Sequence, residues 1–247
     1  MKPTCTLLGV LGGLGPMAGV YFCELLVAHT KAACDADHID MLISSRASTP
    51  DRTAFILGHS TDDPLPVMQR EAQRLSRAGA DLIVIPCNTA HYFYEGLCNS
   101  LNVPMLNIIE ETVQHLKRNG ISHFGLLATA GTVASGAYEK VCRRAGITCT
   151  VPDENDQATI SSIIYDSIKQ NRPVDTRALL QIIDRLRARG CERLVLGCTE
   201  LSLLKSALPA SLPITDSLEV LAYQTILACG KTPIGFSDEF AAWEVDP

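Results

Sequence analysis

Short runs of apolar, β-prone residues alternate along this chain with longer segments whose apolar positions recur every three or four residues. Leu82-Ile-Val-Ile85 and Leu194-Val-Leu196 are runs of the first kind; Leu65, Met68, Ala72 and Leu75 mark a segment of the second. Continuous apolar runs suit strands covered on both faces, and the helical periods between them suit crossovers joining parallel strands. The pattern predicts an α/β fold of mostly parallel sheet flanked by helices. The segment after Asp63 shows the local logic, with Asp63 as N-cap, Pro64 at the first helical position and Gly79 as the stop. Cations crowd its last turn, and the same ending returns before Gly120, Gly146 and Gly190. Cations suit the negative end of a helix and glycine its left-handed stop, so these clusters read as helix ends rather than a phosphate-binding patch.

The pattern also repeats. Gly9-Val-Leu11, followed by a small-residue loop and Ala18-Gly19, resembles Gly125-Leu-Leu127 followed by Thr132, Ser135 and Gly136. Asp81-Leu-Ile-Val-Ile-Pro-Cys87-Asn-Thr89 resembles Arg193-Leu-Val-Leu-Gly-Cys198-Thr-Glu200. Gly9 and Cys87 are 78 residues apart and Gly125 and Cys198 73, with Pro104 and Pro213 following 17 and 15 residues later. Self-similarity on this scale predicts two pseudo-symmetric lobes with a site in the cleft between them. The first lobe is placed at residues 1–103 plus 215–247, because the helix Ser217 to Cys229 would otherwise lack a partner. The second is placed at 104–214.

Composition narrows the function. Apolar residues make up 47% of 247 and charged residues 19%, enough to bury a core. A net charge of -6 disfavours general affinity for nucleic acid or anionic membrane, so a small-molecule partner is expected. No apolar run approaches the ~20 residues of a membrane-spanning helix, and the stretch Thr6 to Val10 does not read as a secretion signal. Ten cysteines without C-x-x-C spacing read as reduced thiols in the cytoplasm, and six histidines without H-E-x-x-H give no zinc site.

Most of these thiols fit a core. Cys87 and Cys198 differ, because each ends an apolar strand run at the same place in its repeat and is followed by hydroxyl or amide residues. Loops at the carboxyl ends of parallel strands are where functional residues collect, and a helix amino terminus lowers a thiol's pKa. Two equivalent thiols across one cleft suit stereochemical inversion, in which one group removes a proton from carbon while the other delivers one to the opposite face.

Gly12-Gly-Leu-Gly-Pro-Met-Ala18, Pro50-Asp-Arg-Thr53, Pro86-Cys-Asn-Thr-Ala-His91 and Gly197-Cys-Thr-Glu-Leu201 together resemble the aspartate racemase branch of the aspartate/glutamate racemase superfamily, over residues 5 to 230. The resemblance implies a two-thiol racemase that needs no cofactor, two α/β lobes with the site between them, and a homodimer. It makes Cys87 and Cys198 the acid/base pair and places Asn88, Thr89, Thr199 and Glu200 beside them. Arg52 matches the family's guanidinium for a substrate carboxylate, a planar fork suited to two-pronged binding, and Lys169 its lysine at the cleft mouth. The glycine loop and Thr132 are further contacts. Glu200 stands where glutamate racemases carry His, and their Asp-Ser-Gly motif is absent, so aspartate is the expected substrate. A broad-specificity racemase of aspartate, glutamate or other amino acids is the alternative. His91 either tunes Cys87 or is a packed histidine.

Two other classes compete. Gly13-x-Gly15-x-x-Ala18 after a strand suits a nucleotide-dependent oxidoreductase, but Met41 to Ser45 ends in serines where that fold needs an acid. A two-lobed amino-acid receptor would explain the duplication but has no use for paired thiols.

Overall fold

The computed structural model describes residues 5–243. Strands β1 (Leu8–Gly12), β2 (Met41–Ser45) and β3 (Leu82–Val84) form one sheet in the order β2-β1-β3. Strands β4 (His123–Leu127), β5 (Thr148–Thr150), β6 (Arg193–Leu196) and β7 (Ile214–Asp216) form a second in the order β5-β4-β6-β7. Every strand pair is parallel. Met105 makes a parallel bridge to Ile83, so it stands beside β3 as β7 stands beside β6. The two sheets repeat one order, in the correspondence drawn from the sequence. Met105 belongs to the first sheet and β7 runs to Asp216 in the second.

The helices are α1 (Pro16–His29), α2 (Arg52–Ile56), α3 (Leu65–Arg77), α4 (Tyr94–Cys98), α5 (Ile108–Arg118), α6 (Ala130–Ala134), α7 (Ala137–Ala145), α8 (Glu154–Ser162), α9 (Thr176–Ala188), α10 (Thr199–Ser202) and α11 (Ser217–Ala228). Asp63 accepts from Leu65 N at 2.8 Å and Pro64 is already helical, as the capping pattern predicts. Gly79, Gly120, Gly146 and Gly190 all have positive φ. None of the helices among the described residues is long and apolar enough to cross a membrane.

Side-chain alternation along the strands assigns each face a different layer. Leu8 and Val10 of β1, Phe124 and Leu126 of β4, and Val195 of β6 share one buried cluster with α1, α5, α7 and α11. These helices are the layer between the sheets. This explains why α11 is buried almost all round, as a helix without a polar face must be. The opposite faces bury Leu11, Ile83 and Ile85 under α3, and Leu127, Leu194 and Leu196 under α9 and α8.

Gly9 and Gly125 sit at equivalent central positions and let the outer helices approach. A Cβ on Gly9 would lie 3.0 Å from Ala80 Cβ and 3.3 Å from Leu75 Cβ; one on Gly125 would lie 2.8 Å from Leu194 Cδ1 and 3.2 Å from Leu186 Cβ. Gly125→Ala is expected to cost about 1–3 kcal/mol by overpacking. Chemical denaturation checks this, and an unchanged midpoint would contradict the close approach.

Candidate active site

Cys87 lies three residues beyond the end of β3, and Cys198 lies two beyond β6 as the N-cap of α10. The repeat thus delivers one thiol from each sheet. Both are buried, and both line one cavity together with Leu14, Asp51, Arg52, Thr53, Asn88, Thr89, Thr129, Tyr165, Lys169, Thr199 and Glu200. Its free volume is about 10 Å³, the room of one water molecule, so the cleft is closed. The thiol segments are tied across it. Thr199 Oγ1 donates to Pro86 O at 3.2 Å, and Asn88 Nδ2 donates at 2.9 Å to Ser217 Oγ, which donates to Leu196 O.

The two thiols have different neighbours. Cys87 Sγ donates to Leu14 O at 3.3 Å, and Arg52 Nη2 donates to the same carbonyl at 2.7 Å. Arg52 Nη1 is held by Pro50 O at 2.7 Å and Thr49 O at 3.2 Å, whereas its buried Nε has no hydrogen-bond partner. A buried donor without an acceptor is costly, and a carboxylate in the cavity would supply one. Cys198 Sγ donates to Glu200 Oε2 at 3.0 Å, and Glu200 Oε1 pairs with Lys169. Gly15 makes room for that pair, since a Cβ there would lie 2.6 Å from Glu200 Oε1.

Burial pushes both thiols up. Beside Cys87 the Arg52 guanidinium opposes that rise. Beside Cys198 the Glu200 carboxylate adds to it, and its pKa stands well above the ordinary cysteine value. Cys87 is therefore the first to ionise as pH rises. Burial also works against the Lys169 cation, but Glu200 outweighs it and raises the lysine's pKa.

Thr89, Thr129 and Thr132 form a triangle of hydroxyls 2.9 to 3.0 Å apart. Thr132 stands behind the wall, which Thr89 and Thr129 form. Thr129, the N-cap of α6, was missed because it lies one turn before the residue the repeat selects. His91 is a packed histidine: Nδ1 donates to Cys87 O at 2.8 Å and Nε2 accepts from Ile108 N at 3.2 Å. Burial pushes it down to about 4, so it is neutral and holds the Cys87 backbone rather than the thiol. Tyr165 and Lys169 come from an irregular extension of α8, a π turn over Ile163–Ser167 followed by a 3₁₀ turn over Ile168–Gln170. Ile160, Ile163, Ile164 and Ile168 keep helical spacing through this segment, so nothing in the pattern marks the break; Tyr165 was missed and Lys169 found by resemblance alone. No cluster of His, Cys, Asp and Glu among the described residues is arranged to hold a metal.

Paired thiols from two lobes, with hydroxyl, amide and guanidinium groups on the same wall, make this cavity the candidate acid/base site. The Asp/Glu/Hydantoin racemase family model matches residues 11–225, and the chain belongs to that family. It is therefore an isomerase of the racemase type. It is 29% identical to the broad specificity amino-acid racemase RacX of Bacillus subtilis, over 89% of this chain and 96% of that protein. The solved structure of Picrophilus torridus aspartate racemase matches with a TM-score of 0.81 at 29% identity, over 97% of this chain and all of that one. An aspartate racemase homologue from Pyrococcus horikoshii shares the fold with a TM-score of 0.73 at 23% identity, over 91% of this chain and 99% of that one.

Glu200→Gln removes the negative charge that raises Cys198 and keeps an amide oxygen in its place. Iodoacetamide labelling of Cys198, followed by mass spectrometry across pH, should move its midpoint down by roughly one unit or more. A midpoint that stays or rises would contradict the assignment.

Proposed function

We propose that the chain is an aspartate racemase interconverting L- and D-aspartate by a two-base thiolate/thiol route without pyridoxal phosphate. The observation that carries this reading is the pair of thiols, one from each repeat, on the wall of one cavity that Arg52 also lines. One cysteine, as thiolate, takes the α-proton while the other, as thiol, gives its proton to the opposite face of the carbon. The pair ends with its roles exchanged. In the free enzyme the first ionisation falls on Cys87, beside Arg52, and Cys198 is the acid. For the reverse direction the exchanged pair serves, with Cys198 as thiolate taking the α-proton and Cys87 as thiol giving its own.

Removing an α-proton puts charge on the adjacent carboxylate. Arg52, Asn88 and Thr89 are the donors for it, with Thr199 lining the wall beside them, and a preorganised donor of this kind contributes on the order of 2.7 to 4 kcal/mol. The second carboxylate of aspartate meets Lys169, which exchanges Glu200 for the substrate. Because Glu200 holds Lys169 in the closed cleft, Arg52 is the cation left for a carboxylate, and a monocarboxylic amino acid satisfies it equally. That favours, as second reading, a broad-specificity racemase of the RacX kind.

The chain acts in the cytoplasm, where its ten free cysteines stay reduced, and as a homodimer. Met17, Val20 and Val27 on the outward face of α1 are 55%, 62% and 49% exposed, an apolar stripe suited to a second copy.

The test is racemisation by chelator-treated protein, read by chiral chromatography on L-aspartate, L-glutamate and L-alanine. Aspartate should exceed the others in kcat/KM by about tenfold or more, and Cys87→Ala and Cys198→Ala should each lose about 10²–10⁴ in kcat. Alanine as the better substrate would favour the second reading, and full turnover by either variant would overturn the two-thiol route.

A further inference from the structure

Two partners, Ser217 and Tyr138, hold the Asn88 side chain beside Cys87. Ser217 Oγ gives its only proton to Leu196 O at 2.7 Å, because a carbonyl can only accept. Toward Asn88 the same hydroxyl is therefore an acceptor, which assigns the amide nitrogen to Ser217, at 2.9 Å. The amide oxygen is left to Tyr138 Oη at 2.8 Å, where Tyr138 must be the donor. Flipping the amide would leave the Ser217 oxygen, its proton held by Leu196 O, facing a carbonyl. Asn88 and Tyr138 are 2% exposed and Ser217 is fully buried, so water does not compete for these bonds.

The partners come from rigid places. Tyr138 lies on α7 in the layer between the sheets, its ring set edge-on to Phe124 of β4 at 6.3 Å. Burial raises the Tyr138 pKa, which keeps the phenol a donor. Ser217 opens α11, and Leu196 ends β6 two residues before Cys198. An amide nitrogen carries two hydrogens, and Ser217 takes one. The other belongs to a side chain on the cavity wall next to Cys87.

We propose that Tyr138 is a positioning residue that, with Ser217, locks the Asn88 amide in one orientation and so presents its second N–H to the substrate carboxylate. This rests on the racemase reading above. Neither Tyr138 nor Ser217 touches the cavity; both act through Asn88.

The experiment is a mutant cycle on the full chain, with Tyr138→Phe, Ser217→Ala and Asn88→Ala singly and with each of the first two combined with the third. Turnover of L-aspartate is read together with thermal stability. Tyr138→Phe should lower kcat by on the order of tenfold, less than outright loss of an oxyanion donor, with KM little changed. In the Asn88→Ala background it should lower kcat no further, although its effect on melting temperature persists. An unchanged kcat in Tyr138→Phe, or an equal loss in both backgrounds, would overturn the proposal.

A second readout needs no turnover. Hydrogen exchange of the Asn88 side-chain amide, followed by ¹⁵N NMR, should be slow in the wild type and faster by about tenfold or more in Tyr138→Phe. Equal exchange in the two proteins would overturn the lock. A wild type that exchanges no α-proton of any amino acid would instead sink the racemase reading, whatever the amide does.

Discussion

The hydrogen bond from Thr199 Oγ1 to Pro86 O joins the residue after one cysteine to the residue before the other. A thiol pair can work on one carbon only if two strands from different sheets end against the same small volume, and that contact is the direct link between those ends. It is supported from below by the helical layer of α1, α5, α7 and α11, which both sheets bury against as a single core. A shared apolar core of this kind resists relative motion of the lobes. The geometry of the site is thereby inherited from the fold rather than from any flexible loop.

The same architecture distributes charge unequally over a symmetric frame. The repeat supplies two thiols at equivalent positions, but the first shares the Leu14 carbonyl with Arg52 and the second donates to Glu200. Burial raises both, but Arg52 opposes the rise at the first and Glu200 adds to it at the second, which biases the pair toward the mixed protonation state that inversion at carbon requires. Lys169 links this asymmetry to the closed state of the cleft, because its partner is the carboxylate that the second thiol donates to.

Much of this was legible in the residues. The strands were readable because fully buried parallel strands are continuous apolar runs, and the helix ends because Gly79, Gly120, Gly146 and Gly190 follow cations. Cys87 and Cys198 stood out only through the repeat, since either one alone reads as a core thiol. Hidden features depended on geometry without a periodic signature. Met105 joins its sheet by a single bridge. The π turn that presents Tyr165 and Lys169 lies within helical isoleucine spacing, so nothing in the pattern marks it. Tyr138 occupies a helical position that reads as core, and its phenol matters because of a partner 50 residues away. Thr129 and Thr132 differ by one helical turn, and only cap geometry decides which of them faces the cavity.

The claim at the centre of this account is that two separate sulfurs exchange protons with opposite faces of one α-carbon. The measurement that meets it most directly follows L-aspartate in heavy water during the first few per cent of conversion, with isotope content determined for each enantiomer. The account predicts that the D-aspartate formed carries deuterium at the α-carbon while the remaining L-aspartate keeps protium. Deuterium entering the remaining L-aspartate as fast as product appears would show a single base serving both faces and would contradict it.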